Sequence, residues 1–155
     1  MTVTYTNDIK TNILDPLRSI IFGEFKPLPV EMGKIFDASF LTMDKYIRYW
    51  FLGSDKIAGH SDGETREYRV EVVFYFSVSR SDFEKAFTDN YSPDVERLKR
   101  VLENNTEYND GTYRWHTMGI EIEELQTVEE MEDIEDEETI GQRFIVTITR
   151  SNFRT

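Results

Sequence analysis

Apolar residues fall into two repeating patterns along this chain, one with a helical period and one with a strand period. Ile9, Ile13, Leu17, Ile20 and Ile21 recur at spacings of three, four and one, which puts them on one helical face. Asn7 is placed to cap the start of this helix and Gly23 to end it. Pro16 lies inside the pattern, where it either kinks the helix or restarts it after Asp15. Residues 23–34 carry Pro27 and Pro29 and read as an extended connection.

The strand period begins at YIRYWFL, Tyr46 to Leu52, which is aromatic and β-branched. Tyr46 and Trp50 share one face, interrupted by Arg48, while Ile47, Tyr49 and Phe51 share the other. A strand apolar on both faces is ordinarily covered on both. The polar stretch GHSDGETR, Gly59 to Arg66, reads as a turn. Beyond it YRVEVVFYFSVS, Tyr68 to Ser79, alternates. Tyr68, Val70, Val72, Phe74, Phe76 and Val78 fall on one face, and Arg69, Glu71, Val73, Tyr75, Ser77 and Ser79 on the other. Two such strands with a polar connection predict an antiparallel hairpin.

A second helix is expected from Ser92-Pro93, serine as N-cap and proline at the first position. Val95, Leu98, Val101 and Leu102 supply its buried stripe, and it ends near Asn104-Asn105. Asn109-Asp110-Gly111 is a turn. Tyr113 to Leu125 reads as a strand with Met118, Ile120 and Ile122 on one face, and Phe144 to Thr149 as the last strand. Helix, hairpin, helix, strand pair is the order of an α+β domain. The expectation is a mostly antiparallel four- to five-stranded sheet with two main helices packed on one face. The 155 residues suit a single domain, 1–155, burying roughly 70% of its unfolded surface.

Charge changes this picture in one place. The net charge is −12, from 30 acids and 18 bases. Eleven of the acids lie between Ile120 and Ile140, where there is no base, and the other 19 acids nearly balance the 18 bases. The protein is thus a near-neutral domain with one acidic inter-strand segment, residues 126–141. Eight of the eleven residues from Val128 to Glu138 are acids: Glu129, Glu130, Glu132, Asp133, Glu135, Asp136, Glu137 and Glu138. Thr127 and Glu130 fit a capping box, and Val128, Met131 and Ile134 recur every third residue, so a short helix is expected to start at Thr127. Its like-charge pairs at i, i+4 would make it marginal alone. No basic surface for gripping DNA phosphates is present.

Composition and motifs exclude most chemistry. There is no cysteine, which removes disulfides and Cys-based zinc sites. The first residues carry no basic segment followed by an apolar one, so no signal peptide is expected. No apolar run approaches the roughly 20 residues of a membrane span. His60 lies beside Ser61 and Asp62, but triads are assembled by geometry and not by adjacency, so it reads as a turn residue. His116 follows Trp115 in a strand and reads as a packed or surface imidazole. Asp55, Asp62 and Glu64 do not match a calcium loop, and the acidic segment lacks the lysine that accompanies carboxylates in metal-dependent nucleases. No phosphate-cradling glycine motif is present. The expectation is therefore no enzyme, no metal and no cofactor. Tyr49, Trp50, Phe51 and Tyr75 are candidates for a subunit interface.

In its first helix, in YIRYWFL, YRVEVVFYFSVS and SPDVERLKRVLENN, and in its closing strands YRWHTMGIEIEEL and RFIVTITRS, the chain resembles the tail terminator (tail completion) proteins of long-tailed bacteriophages. The resemblance implies a virion structural protein, made in the host cytoplasm and located at the tail–neck junction. It implies a homo-oligomeric ring, commonly of six subunits, that caps the tail-tube protein and joins it to neck or connector proteins. DNA would pass without specific binding, and no membrane is involved. The acidic residues from Glu129 to Glu138 would then face the lumen or a subunit contact. Alternatives are another head–tail connector protein or an acidic DNA-mimic inhibitor, since clustered carboxylates can imitate phosphate spacing.

Overall fold

The computed structural model describes residues 2–34, 45–79, 82–109, 111, 114–128 and 137–153. A wide π-helical turn, Ile9–Leu14, tightens into α1, Asp15–Phe25. Asn7 Oδ1 accepts the Lys10 backbone N–H at 3.2 Å, the capping contact expected of it. Pro16 occupies the first turn of α1, directly after the π-helical turn, so the helix changes its width beside the proline and runs on. Gly23 does not end it. The helix continues to Phe25, whose buried ring lies 6.5 Å from that of Phe74. Burying that ring outweighs the roughly 1 kcal/mol cost of a glycine within a helix.

The sheet has five strands: β1 (Val30–Met32), β2 (Lys45–His60), β3 (Gly63–Ser79), and β6 (Thr117–Val128) and β7 (Glu137–Phe153), which follow a short two-stranded ribbon of β4 (Tyr108–Asn109) and β5 (Arg114–Trp115). The order across the sheet is β1-β2-β3-β7-β6. β1 runs parallel to β2, and every other neighbouring pair is antiparallel. The sequence-predicted strands are present but longer. YIRYWFL continues to His60, and the expected polar turn from Gly59 to Arg66 shrinks to Ser61 and Asp62, because Gly59 and Glu64 pair across the hairpin. The last strand spans Glu137–Phe153 because β3 offers it a partner along its whole length.

The second helix also starts earlier than expected. α2 (Phe83–Ala86) passes through a wide turn, Phe87–Tyr91, into α3 (Ser92–Glu103). Helical residues already precede Ser92, so there is no side-chain cap at this junction. α3 ends at Asn104, whose N–H reaches Arg100 O at 2.9 Å.

Ile13, Leu17 and Ile21 of α1 and Leu98 and Leu102 of α3 are fully buried against one face of the sheet, with Val72, Phe74 and Phe144 beneath them. Each such side chain contributes roughly 1.5–3 kcal/mol of transfer free energy. Arg97 joins the two helices at the surface, donating to Glu24 Oε1 at 2.8 Å and lying over the Phe25 ring. That pair is half exposed, so its contribution is below about 1 kcal/mol. The fold is thus the expected α+β layer structure, with a short parallel strand added at one edge.

Candidate functional site

The face of the sheet opposite the main core carries a line of alternating charges. Arg48 on β2, Glu71 on β3, Arg143 on β7 and Glu123 on β6 reach one another in turn. Arg48 Nη1 donates to Glu71 Oε1 at 2.5 Å, Arg143 Nε to Glu71 Oε2 at 2.5 Å, and Arg143 Nη1 to Glu123 Oε2 at 2.5 Å. The register explains the line. Arg48 and Arg143 both sit opposite Val73, and Glu71 lies two residues from Val73 on the same face. Arg48 is held further by Gly33 O at 2.8 Å and by the Tyr75 hydroxyl at 3.1 Å.

Burial rises from one end of this line to the other. The Glu123 side chain is one-third exposed and that of Arg143 about a quarter, whereas Arg48 and Glu71 are nearly enclosed, at 8% and 11%. Burial alone would lower the Arg143 pKa, but its hydrogen bonds to Glu123 and Glu71 outweigh that effect and hold it above its ordinary value. Beside the line, Tyr46 and Tyr75 are buried and stacked with centroids 4.8 Å apart. The line ties four strands, β2, β3, β7 and β6, together through charge-assisted hydrogen bonds.

The sequence-predicted interface residues fall in three places. Tyr49 lies in the main core, 4% exposed, its phenol pKa raised by burial. Phe51 packs partly against that core. Tyr75 is buried with Arg48 on the opposite face, and Trp50 is half-buried. Glu129, Glu130, Glu132, Asp133, Glu135 and Asp136 lie outside the described residues. Glu137 and Glu138 open β7, opposite Ser79 and Val78. The helix expected to start at Thr127 is corrected by the structure. Thr127 and Val128 belong to β6, paired with Ile140 and Thr139. Two β-branched residues extending an existing ladder prevail over a capping box followed by repelling acids. Met131 and Ile134 lie outside the described residues.

His60 is exposed at the hairpin tip, its ring 5.9 Å from that of Phe153. His116 borders an open cleft with Glu107, Tyr108, Asn109 and Trp115, where the buried Trp115 indole donates to Asn105 O at 2.9 Å. Among the described residues no cluster of three potential metal ligands occurs, and no helix is long and apolar enough to cross a membrane.

The architecture has a counterpart among solved structures. The sheath/tube terminator of an extracellular contractile injection system (PVC), solved in its extended state, superposes with a TM-score of 0.50 at 9% identity. The match covers 99% of this chain and 59% of the terminator, so this chain spans about three-fifths of that protein's length. At this identity the likeness is one of fold. A second solved chain superposes with a TM-score of 0.42 at 12% identity, covering 98% of this chain and 99% of its own. No family model matches the sequence, and no curated protein does.

Sequence reading did not assemble the charge line, although its signal was present. Arg48 interrupts YIRYWFL, and Glu71 is the acid in the most apolar stretch of β3. Opposite charges stranded on the same face of two adjacent strands are expected to pair, because neither can be buried alone.

Proposed function

We propose that this chain is a structural subunit that terminates the tube of a phage tail or a tail-like injection machine, forming a ring with further copies of itself. The observation that carries the reading is the fold shared with a sheath/tube terminator over nearly the whole of this chain. The placement of charge along the chain agrees with it. The net charge is gathered in one inter-strand segment, as suits a wall that DNA slides past. Trp50 and the acids from Glu129 to Glu138 are the proposed contacts to neighbours or lumen. Binding to the tube protein on one side and to neck proteins on the other completes the proposal.

Particle fractionation tests it. Purified tails or injection particles should contain this chain at a fixed low copy number relative to tube subunits, measured by quantitative mass spectrometry. Its absence from particles, with all of it recovered as free monomer, would overturn the reading.

The run of eight acids in eleven residues favours a second reading, a DNA-mimic inhibitor. It requires a basic partner enzyme whose binding to this chain is competed by duplex DNA.

A further inference from the structure

Two edges of the sheet lack a strand partner among the described residues. β1 pairs with β2 only at Ile47, Arg48 and Tyr49, and Gly33 N adds one bond to Tyr49 O. From Trp50 to His60 the outer edge of β2 has no neighbouring strand. At the other end of the sheet β6 pairs with β7 alone, through an unbroken register from Thr117 to Ile122. Bare edges are templates for adding another strand.

We propose that these two edges pair between copies: the β6 edge of one subunit adds, antiparallel, to the free β2 edge of the next. This deepens the ring reading and rests on it. Direction comes first. β2 is antiparallel to β3, β3 to β7, and β7 to β6, so β2 and β6 point in opposite directions. A second copy related by rotation about an axis along the strands therefore brings β2 antiparallel to β6, and the alternation continues from copy to copy. Such a head-to-tail contact repeats until the ring closes, and closure covers the β6 edge and the free part of the β2 edge in every copy.

Side chains agree with direction. Both edges carry exposed apolar residues, Ile122 at 43% and Leu125 at 44% on β6, Leu52 at 41% and Ile57 at 54% on β2. Charge separates this pairing from its main rival, two β6 edges meeting across a twofold axis. β6 bears exposed Glu121 and Glu124, so a β6–β6 pair would set acids against acids, which is destabilising. The β2 side offers Lys56, while Arg69 and Arg66 on the adjoining strand β3 offset Asp55 and Glu64 by pairing with them at 2.7 and 2.8 Å.

The chain has no native cysteine, so disulfide trapping reads the contact directly. Gly119→Cys adds a side chain where nothing lies within 4 Å. Gly119→Cys, Thr117→Cys and Glu121→Cys are each combined with Lys56→Cys or Ala58→Cys and oxidised in the assembled state. At least one pair should give a ladder of covalent oligomers, with no ladder from any single-cysteine variant. Amides from Thr117 to Ile122 and from Ser54 to His60 should exchange at least tenfold more slowly in the oligomer than in dilute monomer. An oligomer that forms without trapping and without added protection overturns the interface while leaving the ring standing. A covalent dimer from a β6 cysteine alone overturns it in favour of the twofold pair. A chain that stays monomeric and is absent from particles removes both the ring and the interface.

Discussion

Glu71 holds two arginines at once, Arg48 on one side and Arg143 on the other, and it does so with a side chain only 11% exposed. Removing its charge leaves Arg48 without a carboxylate partner in a site with little water, beside the neutral Gly33 carbonyl and Tyr75 hydroxyl. Breaking a buried pair from one side costs about 3–5 kcal/mol. Glu71→Gln should therefore lower the stability measured by urea unfolding by about that amount. Glu123→Gln, at the solvent end of the same line, should cost below about 1 kcal/mol. Equal losses at the two positions would contradict the burial gradient. Tyr91 is the opposite case, a buried hydroxyl with no hydrogen-bond partner among the described residues. Tyr91→Phe should be neutral or raise stability by up to about 1 kcal/mol at neutral pH. Burial raises the pKa of Tyr49, Tyr68 and Tyr91 in the folded state. Their contribution is complete below about pH 10, where unfolded tyrosine begins to ionise, and is lost as pH climbs towards the raised folded values. Alkaline unfolding should accordingly set in above about pH 10, and Tyr91→Phe should make that loss shallower.

Among the elements, the β2–β3 hairpin and its partner β7 depend on close backbone approach at the tip. A Cβ on Gly63 would lie 1.9 Å from the Asn152 carbonyl oxygen, so Gly63→Ala must push β3 and β7 apart. The expected cost is about 1–3 kcal/mol, with early amide exchange confined to the region from Thr149 to Phe153. Unchanged stability and exchange would show that the strands part there freely. This end of the hairpin was the least legible from sequence. The alternation of YRVEVVFYFSVS announced β3 plainly, because Tyr68, Val70, Val72, Phe74 and Phe76 are buried in the core that α1 and α3 share with the sheet. GSDKIAGH carries no such signal, since from Asp55 to His60 both faces of β2 are exposed. Its strand character comes from backbone pairing alone, which leaves no mark in hydrophobic periodicity. The same physics extended β6 through Thr127 and Val128, where local helix signals pointed elsewhere. Helix existence was legible from the stripes Ile13–Leu17–Ile21 and Leu98–Leu102, whereas helix limits were not. Gly23 and Ser92 signal ends that tertiary packing and the preceding helical turn override.

At the scale of the whole molecule, charge and edges carry the proposed function. Neutralising Glu129, Glu130, Glu132, Asp133, Glu135, Asp136, Glu137 and Glu138 to the matching amides would move the net charge from −12 to −4. If these acids face a DNA path, particles built with that variant should release DNA more slowly at low salt. The difference should shrink above about 0.1 M salt, where charges more than about 10 Å apart are screened. Identical release at all salt concentrations would take the acids off that path. The fold itself was legible as α+β from element order, while the partner surfaces were not, because an edge strand announces only that it is unpaired and not what pairs with it. The most direct measurement is cryo-electron microscopy of intact tails or injection particles, with the density at the end of the tube fitted by this chain. The account predicts a closed ring of copies at that end, neighbours joined between β6 and β2. A tube end built entirely from other proteins, with this chain found only outside the particles, would contradict it.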